Sequence, residues 1–259
     1  MRYPKHLTTG QIKKYFIKFG LKSIVNEFER SINNNHNSAY PPDLIDLYRL
    51  HRFIIINKRI CTLEFGSGWS SIVINHALKI NKKKFFNLIK NKNLRFPNAF
   101  EHFALENEKK YLNISRNRVK KYFKKNDQVN FSYSKNIMST FNGIICNEYI
   151  NLPAVNPDFI YLDGPDQFNI LRKKNNISIA RKDMMPMNCD LLKIEFFLTP
   201  GTIIVVDGRG ANAQFLKYNF KRKWKYEFKK KYDQHVFELQ EETLGKINSR
   251  QLDFYKQNF

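Results

Sequence analysis

The stretch CTLEFGSGWSS, residues 61–71, decides the fold of this chain. Five residues typical of a strand run directly into Gly66, Ser67 and Gly68, and serines follow. Glycine accepts positive φ and lets another group approach the backbone closely. The pattern therefore predicts a strand, a tight turn and a helix, with a ligand at the turn and the carboxylate of Glu64 beside it.

Strand-like and helix-like segments alternate on the C-terminal side of this turn. Apolar runs predict strands at 59–65, 102–106, 129–137, 158–163 and 202–207, and amphipathic patterns predict helices at 71–79, 108–124, 184–198 and 211–224. Residues 81–100 and 165–183 read as connections, and 138–157 as irregular or a hairpin. Segments 225–231 and 235–240 predict a closing antiparallel pair. The chain is thus expected to form an α/β fold, a Rossmann-like, doubly wound and mostly parallel sheet.

Residues 1–57 read as helical and precede the first strand. Thr8 or Thr9 can cap a first helix, and Pro41 and Pro42 can open another. The polar stretch 31–42 separates the two. We expect a helical N-terminal cap at 1–57 and a ligand-binding domain at 58–259.

Composition limits the class of protein. The 259 residues are 42% hydrophobic, enough for a sizeable core, and no apolar run approaches the ~20 residues of a membrane span. Three cysteines without metal-ligand spacing, and an N-terminus without a signal-peptide core, lead us to expect a cytoplasmic protein. The net charge of +22 is compatible with nucleic-acid binding. A lysine- and asparagine-rich composition explains it equally well, and we favour that interpretation.

Polar residues follow several of the predicted strands. They are residues 64–68, Glu106, Asp163 with Gly164, and Asp207 with Gly208. Ligands of such sheets bind at the carboxyl ends of the strands. We therefore expect these residues to surround one site.

Two ligands suit a glycine turn of this kind, a dinucleotide and S-adenosylmethionine. A dinucleotide places an anionic pyrophosphate on the turn, where Glu64 would oppose it. The sulfonium and ammonium of S-adenosylmethionine would instead be attracted by that carboxylate. The dinucleotide fingerprint also expects an acid ~20 residues on, whereas Glu106 comes much later. Charge and spacing both favour S-adenosylmethionine, with Glu106 on the ribose hydroxyls.

Four segments in this order resemble the class I S-adenosylmethionine-dependent methyltransferases, in particular small-molecule O-methyltransferases: LEFGSGWSS, FALENEKKYL, DFIYLDGPD and GTIIVVDGRGAN. The resemblance covers about residues 59–240. It implies a cofactor site made of Glu64, Phe65, Gly66, Ser67, Gly68, Trp69, Ser70, Glu106 and Asp163. It also implies an antiparallel final strand.

Methyl transfer to a hydroxyl needs alignment and removal of a proton. Asp163 and Asp207 are the candidate catalytic residues, and Arg209 and Asn212 the candidate substrate-binding residues. Related catechol-type enzymes bind a divalent cation at these two strand ends, usually with an Asp-Asn pair at the second. Here Gly208 follows Asp207, so the metal stays unassigned, with Mg²⁺ as a candidate cofactor.

The first hypothesis is a methyltransferase that acts on oxygen of a small molecule, such as a sugar or another metabolite. An RNA methyltransferase, or a basic nucleic-acid-binding protein on the same fold, is the alternative, motivated by the charge. The run KYNFKRKWKYEFKKKY, residues 217–232, interleaves lysines with aromatics as single-strand binders do. An amphipathic helix and strand would produce the same pattern. An NAD-dependent oxidoreductase is disfavoured by Glu64.

Overall fold

The computed structural model describes residues 1–33, 40–94, 97–123 and 129–257. Its strands are β1 (Cys61–Phe65), β2 (Glu101–Glu106), β3 (Asn130–Tyr133), β4 (Asn136–Phe141), β5 (Ile144–Tyr149), β6 (Phe159–Leu162), β7 (Ile170–Leu171), β8 (Ile203–Asp207), β9 (Trp224–Lys229) and β10 (Gln234–Leu239). Its helices are α1 (Thr9–Lys18), α2 (Lys22–Asn33), α3 (Leu44–Ile56), α4 (Trp69–Asn91), α5 (Lys109–Tyr122), α6 (Asp190–Ile194), α7 (Gly210–Asn219) and α8 (Lys246–Lys256).

Seven strands form one sheet in the order β3-β2-β1-β6-β8-β10-β9. The pairs from β3 to β8 are parallel, and β10 runs antiparallel to both of its neighbours. The chain first builds outward from β1 to β3 and then returns to add β6 on the other side of β1. This confirms the Rossmann-like, mostly parallel fold with a closing antiparallel pair. It also places a crevice between the carboxyl ends of β1 and β6, where the strand order reverses.

Alternate residues of the central strands pack against the two faces of the sheet. On one face, Phe159 and Val205 join a core formed with α1 to α4. On the other, Ile160 and Ile204 pack with α6, α7 and the second sheet. Both faces are covered because parallel strands hydrogen-bond fully within the sheet and are apolar on each side.

The N-terminal residues form three helices over the first face, where the sequence predicts two, because the first divides at Gly20, which has φ 74°, into α1 and α2. Thr8 caps α1 through a capping box with Gln11, and Asp43 caps α3 by accepting from two backbone amides. The buried Phe16 and Phe53 join the core that contains Phe159 of β6. The cap is therefore packed directly against the sheet and reaches its carboxyl edge through the start of α3.

Several predicted boundaries are wrong. The helix expected at 71–79 continues to Asn91 because Asn81, Phe85 and Ile89 keep its buried face regular through the lysine-rich stretch. The helix expected at 184–198 is only α6, Asp190–Ile194, with a 3-10 turn after it. The strand expected at 129–137 divides into β3 and β4. The sequence reading also lacked α8.

The segment 138–157 contains a hairpin rather than an irregular connection. Strands β4 and β5 pair antiparallel around Asn142 and Gly143, and β4 also pairs parallel with β7. This three-stranded sheet packs below the second face of the main sheet, where Cys146 Sγ and Cys189 Sγ lie 3.1 Å apart as free thiols. None of the helices in the described ranges has the length and apolarity needed to cross a bilayer.

Asp158, just before β6, connects three parts of the fold. Its carboxylate is buried and accepts hydrogen bonds from the backbone amides of Ile60 and Cys61 and from the hydroxyl of Tyr255 in α8. Burial raises the pKa of this carboxyl, while nearby Arg59 and the donors oppose that rise. The C-terminal helix is thus held to the sheet by a buried polar contact as well as by Phe254.

Two substitutions that remove this contact to different extents should lower the stability of the protein by different amounts. Tyr255→Phe removes one hydrogen bond and should lower the free energy of unfolding by about 1–2 kcal/mol, whereas Asp158→Ala leaves buried donors unpaired and should cost about 3 kcal/mol. Urea denaturation measures both. Asp253→Ala, on the exposed side of the same helix, is the control. Equal stability of Asp158→Ala and the control would contradict this role.

Candidate active site

A cavity of about 760 Å³ opens at the carboxyl edge of the main sheet. The turn after β1, the ends of β2, β6 and β8, the start of α3 and the hairpin between β9 and β10 all contribute to its wall. Among the residues that line it are Asp46, Gly66, Ser67, Gly68, Trp69, Ser70, Glu106, Asp163, Asp207 and Arg209. The strand-end residues singled out in the sequence are thereby largely brought together.

The glycine turn is fixed by close backbone contact with the end of β6. Gly66 has φ 101°, and its amide donates to the Leu105 carbonyl at 2.8 Å. A Cβ on Gly164 would lie 2.5 Å from the Gly66 nitrogen and 2.7 Å from the Phe65 carbonyl carbon. Glycine is therefore required at position 164 as well as in the turn. Sequence reasoning missed this, although Asp-Gly-Pro after an apolar strand was a usable signal.

Glu64 lies behind the glycine turn and is enclosed. Its side chain is 1% exposed, and its carboxylate accepts hydrogen bonds from the hydroxyls of Ser70 and Ser71 in the first turn of α4. His102 Nε2 lies 3.0 Å from the same carboxylate, and Thr62 Oγ1 lies 2.8 Å from His102 Nδ1. The carboxylate thus ties the start of α4 to β1 and β2 and places negative charge at the N-terminus of α4.

Glu106 lies at the end of β2 and faces the cavity. Oε1 accepts from the amides of Asn107 and Glu108, and Oε2 accepts from the Ser67 hydroxyl at 2.9 Å. Burial raises the pKa of Glu106, while these hydrogen bonds oppose the rise. The carboxylate is therefore held in one orientation beside the glycine turn, with acceptor capacity left for a ligand hydroxyl.

Asp163 and Arg209 both line the cavity and lie next to each other. Arg209 Nε lies 3.8 Å from Asp163 Oδ1, and Arg209 Nη2 donates to the Pro165 carbonyl at 3.1 Å. The Asp163 side chain is 55% exposed. Desolvation by the surrounding protein, together with the carboxylates of Asp207 and Glu64, nevertheless raises its pKa to about 7, while the positive charge of Arg209 opposes this rise. Its proton is therefore exchangeable near neutral pH.

Asp207, at the end of β8, shares a hydrogen-bonding partner with Asp46, a carboxylate that the sequence analysis did not identify. Tyr161 donates to Asp207 Oδ2 at 2.8 Å, and Gln234 both hydrogen-bonds Asp207 and lies 3.4 Å from Asp46 Oδ1 through Nε2. Burial raises the pKa of Asp207 to about 6, with Asp43 and Asp233 adding to the rise, and burial raises the pKa of Asp46 to about 8, with Asp207 and Asp43 adding to it. Arg49 Nε donates to Gln234 Oε1 at 2.6 Å.

Helical spacing was the available signal for Asp46. Arg49, Leu50 and Phe53 of α3 are buried, and they follow Asp46 at three, four and seven positions. An acid on the same face as a buried stripe needs a partner or a functional reason. Here that face of the cap reaches the cavity.

The remaining candidate residues lie in different places. Trp69 lines the cavity with the Arg118 guanidinium 4.3 Å from its ring centroid, and Ser70 lines it while donating to Glu64. Phe65 is fully buried in the core of the second face. Asn212 is also buried, away from the cavity lining, and exchanges two hydrogen bonds of 3.1 Å with the backbone of Asn188.

The donor set gives limited support for a metal. Asp163 and Asp207 reach the same cavity, but Arg209 lies beside the first and Tyr161 occupies an oxygen of the second. In the described part of the chain, no three His, Cys, Asp or Glu side chains are grouped as a metal ion would need. The Mg²⁺ that the resemblance suggests stays a prediction, and no step below uses it.

No protein-family model and no curated protein matches this chain. Among solved structures, it is similar to the O-methyltransferase from Bacillus cereus in complex with SAH, at 14% identity over 89% of this chain and 97% of that one, TM-score 0.48. It is similar to an SAH-bound methyltransferase from Podospora anserina, at 14% identity over 93% and 100%, TM-score 0.48. An O-methyltransferase from Streptomyces achromogenes in complex with SAM matches at 12% identity over 91% and 100%, TM-score 0.40.

The strand order and the antiparallel β10, rather than these scores, decide the class of fold. It is a Rossmann-like, doubly wound α/β fold. The antiparallel β10, inserted between β8 and β9, agrees with the antiparallel final strand that the sequence resemblance implies. The cavity lies where that fold places its ligands, at the reversal between β1 and β6.

The raised pKa of Asp46 predicts a pH-dependent cost to stability. The folded protein holds this proton up to about pH 8, whereas an unfolded Asp releases it near about pH 4. The contribution of Asp46 to the free energy of unfolding is therefore greatest below its pKa in the unfolded state. This contribution is lost as the pH rises through its pKa in the folded state. The melting temperature of the wild type should fall relative to that of Asp46→Asn between about pH 5 and pH 8, then level off.

Differential scanning fluorimetry across that range measures the difference directly. Comparison with the Asn variant is needed because burial lowers the pKa values of His51 and His76, which act in the opposite direction at acidic pH. Asp183→Asn, an exposed carboxylate paired with Arg181, is the matched control and should track the wild type. Parallel curves for wild type and Asp46→Asn would show that Asp46 is not held in its protonated form.

Proposed function

We propose that this chain is an S-adenosylmethionine-dependent methyltransferase that acts on an oxygen atom of a small-molecule acceptor. The observation that carries the proposal is the arrangement of Glu106 and Ser67. A carboxylate fixed by two backbone amides and by the hydroxyl of the glycine turn faces a cavity at the sheet reversal. Such a group suits a pair of ribose hydroxyls, which need an acceptor of fixed orientation.

The charge at the turn supports S-adenosylmethionine over a dinucleotide. A pyrophosphate would have to sit on the first turn of α4, where Ser70 and Ser71 are bound to the buried Glu64 carboxylate. Asp163, close to Gly66 through Gly164, adds a second carboxylate on the same side. The negative charge of these two carboxylates favours the sulfonium and ammonium of the methyl donor.

The protein's part in the reaction would be to position the acceptor and accept a proton. The cofactor supplies a methyl group activated by its sulfonium. Asp207 and Asp163 lie at the strand ends that flank the cavity, with pKa values near about 6 and 7, so an ionised carboxylate is present at neutral pH. Either oxygen-bearing side chain can accept the proton of a bound hydroxyl, and Arg209 keeps Asp163 oriented.

A small-molecule acceptor is favoured over RNA by the charges of the cavity wall. Among the residues that the structure describes, seven carboxylates and two arginines line the cavity. The phosphate backbone of an RNA strand that entered this cavity would be repelled by these carboxylates, even though the chain as a whole has a net charge of +22. Part of the basic run 217–232 fits the composition-based interpretation, since Phe220, Trp224 and Tyr226 pack against the core of the second face while Lys217 and Lys225 are exposed. Tyr218 and Phe228 of the same run are exposed.

Cofactor choice can be tested by thermal shift. S-adenosylhomocysteine, the demethylated product, should raise the melting temperature in a concentration-dependent way, because a ligand that binds only the folded state stabilises it. NAD at the same concentrations should leave it unchanged. Stabilisation by NAD alone would contradict the proposal.

The role of Glu106 predicts a large loss of affinity on removal of its charge. Glu106→Gln keeps the shape of the side chain but weakens the bonds to the ribose, so S-adenosylhomocysteine should bind about tenfold more weakly or worse. Calorimetry measures the affinity. Glu101→Gln, at the exposed start of the same strand, is the matched control. Unchanged affinity in Glu106→Gln would remove the ribose role.

A further inference from the structure

We infer that the part of the cavity wall formed by Asp43, Asp46, Asp207 and Asp233 binds a positively charged acceptor, namely a hydroxyl-bearing organic amine. We call these four residues the carboxylate wall; all line the cavity. The inference rests on the proposed methyltransferase function and names the class of its acceptor.

The charge of the cavity is opposite to that of the chain. The whole sequence has 45 Lys and Arg against 23 Asp and Glu. The described cavity lining has no lysine and only two arginines, beside seven carboxylates: Asp43, Asp46, Glu106, Asp163, Asp166, Asp207 and Asp233. Composition alone would predict the reverse, so this wall is not explained by the lysine-rich background.

Both arginines of the lining are already engaged outside the carboxylate wall. Arg209 faces Asp163 and donates to the Pro165 carbonyl, and Arg118 stacks on Trp69. Among the described residues, the four carboxylates of the wall form no ion pair with a lysine, arginine or histidine. A cofactor held by Glu106 and Asp163 would leave these four without a cation inside the cavity, although Asp43 also caps α3 and Arg49, behind the wall, attracts Asp46 and Asp207.

Two members of the wall, Asp46 and Asp207, are half-buried and held by the fold, whereas Asp43 and Asp233 are exposed at its edge. Asp46 comes from the cap and Asp207 from the sheet, and the fully buried Gln234 of β10 reaches both of them. Gln234 is itself fixed by Arg49, whose guanidinium lies 3.6 Å from the Tyr232 ring centroid. Three elements are therefore anchored so that two carboxylates face one cavity.

Such proximity of carboxylates is costly. Burial and the charge of Asp207 raise the pKa of Asp46 to about 8, and burial with the charges of Asp43 and Asp233 raises that of Asp207 to about 6. A cation between them would replace this repulsion by attraction and would release a proton near neutral pH. The carboxylate wall thus favours a ligand of positive charge.

The remaining lining suits an organic amine better than a metal ion. The aromatic side chains of Tyr40, Tyr161 and Tyr232 share the cavity wall, and aromatic faces attract ammonium groups. At the mouth, Phe168 and Met185 line the cavity although 61% and 64% of their surface is exposed. These groups would cover the apolar body of an acceptor, whereas a hydrated divalent ion would gain nothing from them.

The test uses three phenols that differ in one group: tyramine, para-ethylphenol and para-hydroxyphenylpropionate. Calorimetry on the protein saturated with S-adenosylhomocysteine, at low salt, should show tyramine binding about tenfold more tightly than the neutral phenol, and the carboxylate most weakly. Asp46→Asn should reduce the tyramine preference to about threefold or less. Titrations in two buffers of different ionisation enthalpy should show proton release with tyramine, and less of it in Asp46→Asn.

Two controls separate the possible failures. Asp183→Asn, outside the cavity, should keep the wild-type ranking of the three phenols. Equal affinity for tyramine and para-ethylphenol, strongest binding of the carboxylate, no tyramine binding at millimolar concentration, or binding that requires added Mg²⁺ would each overturn the inference. Failure of S-adenosylhomocysteine to bind at all would instead overturn the proposed function.

Discussion

The close approach of the chain after β1 to the chain after β6 is the constraint on which the rest of the site depends. Gly66 and Gly164 meet backbone to backbone, with no room for a side chain at position 164. The contact brings the glycine turn next to Asp163, and the Ser67 hydroxyl of that turn fixes Glu106 on the neighbouring strand. One steric requirement therefore sets the relative positions of three strand ends.

Glu64 shows how the same turn is stabilised from behind. Its carboxylate is surrounded by Ser70, Ser71 and His102, so in the proposed function it would act on the methyl donor through its charge across the first turn of α4 rather than by direct contact. Burial of an acid is costly unless hydrogen bonds compensate it. The donors around it make that charge a fixed part of the fold, which is the condition for it to influence a bound sulfonium.

The sequence was sufficient to locate the main-sheet strands along the chain and to identify the polar residues at their ends, because both depend on local patterns. A buried parallel strand is a short apolar run, and a polar residue directly after it must lie at the carboxyl edge. Asp46 could not be assigned in this way, since its place in the cavity depends on how α3 docks against the sheet. Asn212 looked equivalent to Arg209 from its position, yet the first turn of α7 directs it to the backbone of Asn188. The extent of α4 was missed because charge obscured a regular buried face.

The net positive charge of the chain and the negative charge of its cavity have different structural costs. Exposed lysines are screened within about 8–10 Å at physiological salt and can accumulate through composition with little structural cost. Carboxylates held together at a partly buried wall cost stability each time one ionises, as the raised pKa of Asp46 indicates. An arrangement that is costly and specified by Gln234, Arg49 and the docking of the cap is better evidence about a ligand than an abundant surface charge. For this chain, that reasoning favours a small cation over a nucleic acid as the occupant of the cavity.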